Sequence, residues 1–311
     1  MRVEISPHLY ASPAYADEVA AMLRQFVKGR HVWVIGFADL EQLGAYLRRE
    51  MVPKNAQVHQ DLAREAVKQN AAYRAGSALP VVLTGDNVIR QVADLERCAV
   101  VVVEDNATDG CFLKAIAKVF GRADILRALA DGRLEIRHGG GADGACRIAR
   151  EEHSTRVIPR VAALLDSDRL LPGDRPKSQE KFDALQARGV HVHVLEFRES
   201  ENYIPNKALR AAKPLKESSE RLSHLKTLSV VQRAHFDMKA GFKGGVPDRQ
   251  LPLYADVPSH VLLGLQTGFG AKIIEVLGRE ANTLNQEDFD KLGPTVADEM
   301  HAILDMLGKI V

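Results

Sequence analysis

One short run constrains this chain more than any other. Residues 98–103 read CAVVVV, continuously apolar and mostly β-branched, and the run stops at Glu104-Asp105. A strand without polar alternation is buried on both faces, the habit of a parallel sheet covered by helices. Thr108 and Asp109 can then cap a helix over 110–120 that Gly121 ends. The same strand-then-helix order recurs downstream. A strand over 133–138 runs into GGGADG and a helix over 142–152. A strand over 157–165 (VIPRVAALL) ends at Asp166-Ser167-Asp168, and a helix over 178–188 and a strand over 190–197 follow. Such alternation predicts an α/β fold, a Rossmann-like, doubly wound parallel sheet with right-handed crossovers.

The flanks read differently. Residues 1–95 offer helices over 17–27, 40–49 and 60–73 and strands over 31–37 (HVWVIGF) and 80–84, an N-terminal α/β region that carries no chemical motif. It could be an extra sheet edge, a partner-binding domain or a substrate gate. After Tyr203-Ile204-Pro205 the strand signal fades, and 207–212, 215–228, 230–239 and 288–307 read as helices. The expected organisation is therefore 1–95, 96–205 and 206–311. The last helix carries apolar residues at helical spacing, which suits core packing or a homodimer contact.

Composition narrows the function classes. The 311 residues hold 42 Lys+Arg against 41 Asp+Glu, which excludes a basic nucleic-acid coat protein and an acidic disordered tail. Aromatics make up only 5%, so extensive stacking on single-stranded bases is not expected. Any contact with nucleic acid must then come from local patches and bound metal. Residues 198–249 supply such a patch, with eleven Lys/Arg and six Asp/Glu. The three cysteines, Cys98, Cys111 and Cys146, form no CxxC pair and no zinc spacing, which fits a reducing interior. No signal peptide and no run of 18 apolar residues is visible, so a soluble cytoplasmic protein without membrane contact is expected.

Parallel strands deliver functional groups at their C-terminal ends, beside the topological switch point. Two of the strongest apolar runs here end in acids, Glu104 after VVVV and Asp166 and Asp168 after AALL. In a strand, a spacing of two points Asp166 and Asp168 to the same side. Three carboxylates in one crevice repel and take up protons unless a cation neutralises them. A hard divalent ion with oxygen ligands meets that need, and it could hold a phosphodiester and activate water.

VVVEDNATDGCFLKAIAKVF, followed about 60 residues on by VAALLDSDR, resembles the TOPRIM domain of topoisomerases, primases and OLD-type nucleases. In that family a Glu ends the first strand and a DxD the third, and both serve Mg²⁺-dependent phosphoryl chemistry; Glu104, Asp166 and Asp168 match. OLD-type nucleases often place a second acid four positions after the Glu, and here Asp109 lies five on. LEFRESENYIP looks like the family's closing motif, with Glu201 as the matching acid, and Lys239 in HFDMKAGF is the candidate for the basic residue found beyond the core. The resemblance covers about residues 96–205. It implies a TOPRIM-type catalytic domain holding Mg²⁺ or Mn²⁺ at Glu104, Asp109, Asp166, Asp168 and Glu201. Glu104, Asp166, Asp168 and Lys239 would be catalytic. It further implies a DNA or RNA nuclease in antiviral (phage) defence. OLD proteins commonly carry an ATPase, but no GxxxxGK[ST] occurs here, so a single-chain nuclease or one working with a separate ABC-type ATPase partner is expected.

Other readings stay open at this point. HGGGADG contains GxGxxG at Gly139, Gly141 and Gly144, the dinucleotide fingerprint, with Asp166 about 20 residues on where a ribose-binding acid belongs. A tight turn that packs helix on sheet is the competing explanation. DxD also serves nucleotide-sugar transferases, a reading that leaves Glu104 and Glu201 without a role. His191 and His193 alternate along a strand but lack a third ligand at zinc spacing. A catalytically silent nucleic-acid-binding or regulatory subunit is the remaining alternative.

Overall fold

The two apolar runs that end in acids form the strands that are buried at every position. In the computed structural model, which describes residues 1–72 and 79–311, Ala99–Val103 and Val161–Leu165 are buried at all five positions. They pair in parallel, with Val100 opposite Val161 and Val102 opposite Ala163.

The strands are β1 (Arg2–Ile5), β2 (Val32–Val34), β3 (Val81–Leu83), β4 (Ala99–Val103), β5 (Leu134–His138), β6 (Val161–Leu165) and β7 (His191–Val194). The first three form one sheet in the order β2-β1-β3, and the others a second in the order β5-β4-β6-β7. The helices before β4 are α1 (Pro7–Ala11), α2 (Ala16–Val27), α3 (Leu40–Glu50), α4 (Pro53–Ala71) and α5 (Val88–Glu96). Those among the later strands are α6 (Asp109–Val119), α7 (Ala123–Ala130), α8 (Ala142–Ser154) and α9 (Gln179–Gln186). Beyond β7 come α10 (Asn206–Leu209), α11 (Leu215–Leu225), α12 (Val230–His235), α13 (Ser259–Gly264), α14 (Ile274–Glu280), α15 (Gln286–Asp290) and α16 (Val296–Ile310). No strand follows β7 among the described residues, and no helix among them is long and apolar enough to cross a membrane.

The chain divides into two compact units. One comprises Met1–Ala99, Thr155–Arg160 and Lys309–Val311; the other comprises Val100–Ser154 and Val161–Gly308. In the first unit the N-terminal region builds its own three-stranded parallel sheet rather than an added edge. Its core forms because α2 buries Val19, Met22, Leu23 and Phe26 at helical spacing, and Phe26 stacks on Trp33 of β2 at 4.8 Å. Strand β1 is too short and too mixed in composition (RVEI) to announce itself, yet it is the centre of that sheet. The helix expected over 60–73 begins earlier, at Pro53, where proline fits the first turn; its expected end at Tyr73 lies outside the described residues.

In the second unit, β4 and β6 are the inner pair, with β5 beside β4 and β7 beside β6. The chain leaves β4 towards one edge and β6 towards the other, which makes the ends of these strands the switch point. The strand expected over 157–165 is only Val161–Leu165, because Pro159 has no amide hydrogen for a ladder. The helix expected over 288–307 is two, α15 and α16, separated at Gly293-Pro294. Helix α16 buries Val296, Met300, Ile303, Leu304 and Leu307 within the chain, so its apolar stripe serves the core.

Candidate active site

Glu104 follows β4 directly, and the turn after β5 clamps its backbone. The amides of Gly140 and Gly141 both donate to the Glu104 carbonyl, at 3.0 and 3.2 Å, and the Gly139 amide donates to Val103 at 3.0 Å. Those glycine amides therefore have no donor left for a pyrophosphate. A Cβ on Gly139 would lie 1.9 Å from the Ala145 amide nitrogen, and one on Gly144 would lie 1.9 Å from the Gly139 carbonyl. The GxGxxG spacing thus serves close packing of this turn on the first turn of α8.

Asp166 and Asp168 reach the same place by a different route from strand alternation. Strand β6 ends at Leu165, and Asp168 takes a left-handed backbone, φ 52°. The rule that residues two apart share a face therefore does not apply beyond Leu165. The turn is held by its own bonds: the Asp168 amide donates to the Arg198 carbonyl at 3.0 Å, and Ser167 Oγ donates to the Phe197 carbonyl at 2.8 Å. The Asp166 amide donates to Glu104 Oε1 at 3.1 Å, joining the two strand ends.

A third element closes the group. After β7 the chain makes a 3-10 turn over Ser200–Tyr203, and the whole turn is buried. The Ser200 amide donates to Asp166 Oδ1 at 3.2 Å. Its hydroxyl lies 3.1 Å from Asp109 Oδ1 and 3.3 Å from Glu201 Oε2. Asp109, at the first position of α6, also accepts the Asp105 amide at 2.9 Å. Asn202 receives the Glu199 amide and donates to the carbonyls of Arg233 and Phe236. The Tyr203 hydroxyl donates to Glu299 at 2.6 Å while accepting the Phe197 amide. Asn202 and Tyr203 are thus a pair of rivets.

The expected residues divide into two groups. Glu104, Asp166 and Asp168 line an open cavity of about 430 Å³ together with Gly140, Asp143, Lys177, Ser178 and Lys181. Asp109, Glu199 and Glu201 are buried, at 5%, 5% and 0% exposure, and do not line it. Lys239 belongs to the buried group: its Nζ is 2.9 Å from Glu199 Oε2 and 3.2 Å from Glu201 Oε1. Asp237 holds the loop that carries it, accepting the amides of Lys239 and Ala240 and the guanidinium of Arg198. Lys239 is therefore the counter-ion of the buried acids, not a base facing the cavity. Glu199, Ser200, Lys177 and Lys181 are the members that motif reading did not single out. The acid-Asn-Tyr signature lay one residue from Ser200, but lysines in a turn carry no periodic signal.

The acids' surroundings raise their carboxyls. Burial pushes the Glu104 carboxyl up to about 7, with Asp168 and Asp109 adding to it against the Asp166 amide and Lys239. Burial, then Asp109, Glu104, Glu201 and Glu199, hold Asp166 well above the usual carboxylate range. Asp109 is raised by burial and by Glu201. Glu199 rises to about 7, through burial first and Glu201 second, against the pull of Lys239. Burial opposes the Lys239 ammonium, but Glu199, Glu201 and Asp166 outweigh it and keep it charged.

The donor set is all oxygen, which suits a hard divalent cation. Glu199 Oε1 is buried without a hydrogen-bond partner, and Glu201 Oε1 meets Lys239 without hydrogen-bonding alignment. Among the described residues, however, no three His, Cys, Asp or Glu side chains are gathered closely enough to ligate an ion as they stand. The fit to a metal is therefore one of chemistry and charge, with amides and Lys239 occupying part of the acids' bonding capacity. His193 is a partner of Glu299 at 3.0 Å. Comparison with protein-family models, with curated proteins and with solved structures found no match to this chain.

Proposed function

We propose that this protein is a divalent-metal-dependent nuclease that cleaves the phosphodiester bonds of DNA or RNA, with a TOPRIM-type catalytic domain over residues 96–205. The observation that carries the reading is the gathering of Glu104, Asp166 and Asp168 around one open cavity at the ends of β4 and β6. Clustered acids raised by burial and then by one another's charge call for positive charge, and a phosphodiester brings more negative charge.

Glu104, Asp166 and Asp168 would hold Mg²⁺ or Mn²⁺, with Asp109 and Glu201 behind them. When bound, the ion supplies positive charge for the phosphate oxygens and an acidified water. Glu104 has a carboxyl near neutrality and can hold or release a proton at the working pH. The Ser200 turn keeps Asp166 oriented through its amide, and Lys239 keeps the buried acids from repelling the cavity acids further. A separate ATPase subunit would be the partner in any ATP-controlled defence role.

The expected outcome is cleavage of plasmid, linear DNA or RNA that needs Mg²⁺ or Mn²⁺. Glu104→Gln and Asp166→Asn should each lower it by at least about two orders of magnitude. Gel assays with EDTA controls measure it, and undiminished cleavage by both variants would refute the site.

A further inference from the structure

The acid cavity has a second set of lining residues that the metal chemistry does not use. Lys177 and Ser178 immediately precede α9, and Lys181 lies in its first turn. Two lysines thus share about 430 Å³ with Glu104, Asp166 and Asp168. Lys177 has no carboxylate partner among the described residues, and Ser178 occupies the N-cap of α9 without its hydroxyl capping the helix. Lys181 is paired with Asp143, but both side chains are exposed, at 52% and 76%, and an exposed pair yields readily to a better anion.

From this arrangement we propose that Lys177, Ser178 and Lys181 form the phosphate grip of the cavity, holding the backbone of a nucleic-acid strand beside the acids. Lys239 cannot fill that role, because Glu199 and Glu201 occupy its ammonium. The amides of Gly139, Gly140 and Gly141 cannot either, because the carbonyls of Val103 and Glu104 take them. Phe182, the one aromatic residue on the lining, is 1% exposed and offers bases no stacking face. The grip is therefore on phosphate and carries no base sequence. Lys181 exchanges Asp143 for the phosphate on binding, so Asp143 is a competitor for substrate.

The proposal rests on the nuclease reading for its reaction but not for its binding, and one experiment separates the two. A short fluorescein-labelled RNA and its DNA counterpart are titrated in Ca²⁺ by anisotropy over a salt series, and cleavage is followed in parallel in Mn²⁺. Lys177→Gln and Lys181→Gln should each weaken binding by roughly three- to tenfold. Each should also flatten the slope of log affinity against log salt by roughly 0.7 to 0.9. KM should rise with kcat little changed. Lys177→Arg should restore affinity, Asp143→Asn should tighten it, and Lys272→Gln, exposed and outside both the cavity and the basic stretch 198–249, should leave it as in the parent.

A double variant Lys177→Gln/Lys181→Gln that binds with the parent's affinity and salt slope would overturn the grip, even where the parent still cleaves. A parent that binds through these lysines yet cuts neither strand keeps the grip and removes the nuclease reading. A parent that binds neither oligonucleotide removes both.

Discussion

Asp168 shows how a single residue can give up stability for placement. Its left-handed backbone, φ 52°, is one that non-glycine residues enter at a cost of about 1–3 kcal/mol, although aspartate tolerates it better than most. Replacing it with glycine removes that cost and the carboxylate together. Asp168→Gly should raise the unfolding free energy of the metal-free protein by about 1 kcal/mol while abolishing metal-dependent cleavage. Urea denaturation and a cleavage assay on the same preparation check both halves; a less stable variant that still cuts contradicts the assignment. The acids at strand ends were legible in the sequence, because an apolar run that stops at a carboxylate states both a buried strand and its exit. The geometry of Asp168 was not, since alternation ceases to hold once β6 ends at Leu165. Lys239 was legible as a basic residue near the site, but only packing reveals that two buried glutamates consume it.

At the level of elements, the 3-10 turn over Ser200–Tyr203 sets the position of the buried acids, and the strand and helix periods say nothing about such a turn. Its Asn and Tyr do mechanical work. The Tyr203 hydroxyl serves both the Phe197 amide and the buried Glu299 carboxylate. Glu299 in turn accepts the Glu196 amide and faces His193, so the network ties β7 to α16. Tyr203→Phe keeps the ring, which stacks on Phe197 at 4.6 Å, but orphans a buried amide and deprives a buried carboxylate of a donor. The expected loss is about 2–3 kcal/mol. It should appear as a lower denaturation midpoint with an unchanged m-value, whereas a loss below about 0.5 kcal/mol would show that water replaces the hydroxyl. Strand β1 was illegible for a different reason. RVEI carries too little apolar pattern over four residues, and its central place comes from pairing with β2 and β3 on both sides. Strands β4 and β6 were legible because burial on both faces leaves an unbroken apolar signature.

Over the whole molecule, 42 basic and 41 acidic side chains average to near neutrality, yet the charges are not mixed evenly. Glu104, Asp109, Asp166 and Glu199 stand together with their carboxyls raised, two of them to about 7. A carboxyl whose pKa is higher in the fold than in the unfolded chain keeps its proton in the fold after the unfolded chain has lost it. Unfolding then releases protons, so stability falls as pH rises from about 4.5, the ordinary glutamate value, to about 7, and levels off above. The sign is opposite to that of a surface acid paired with arginine, whose stabilisation is lost in acid. Metal-free protein should accordingly show a higher melting temperature at pH 5.5 than at pH 8, and Glu104→Gln should flatten that difference. A divalent ion that binds only the folded, ionised cluster competes with those protons and stabilises by mass action. Mn²⁺ should therefore raise the melting temperature by several degrees at pH 8 and by little at pH 5.5, and EDTA should reverse it. Differential scanning fluorimetry across pH, with and without Mn²⁺, makes the comparison directly. Equal shifts at both pH values, or equal shifts in the parent and in a Glu104→Gln/Asp166→Asn variant, would place the ion elsewhere and leave the raised carboxyls as a purely structural burden.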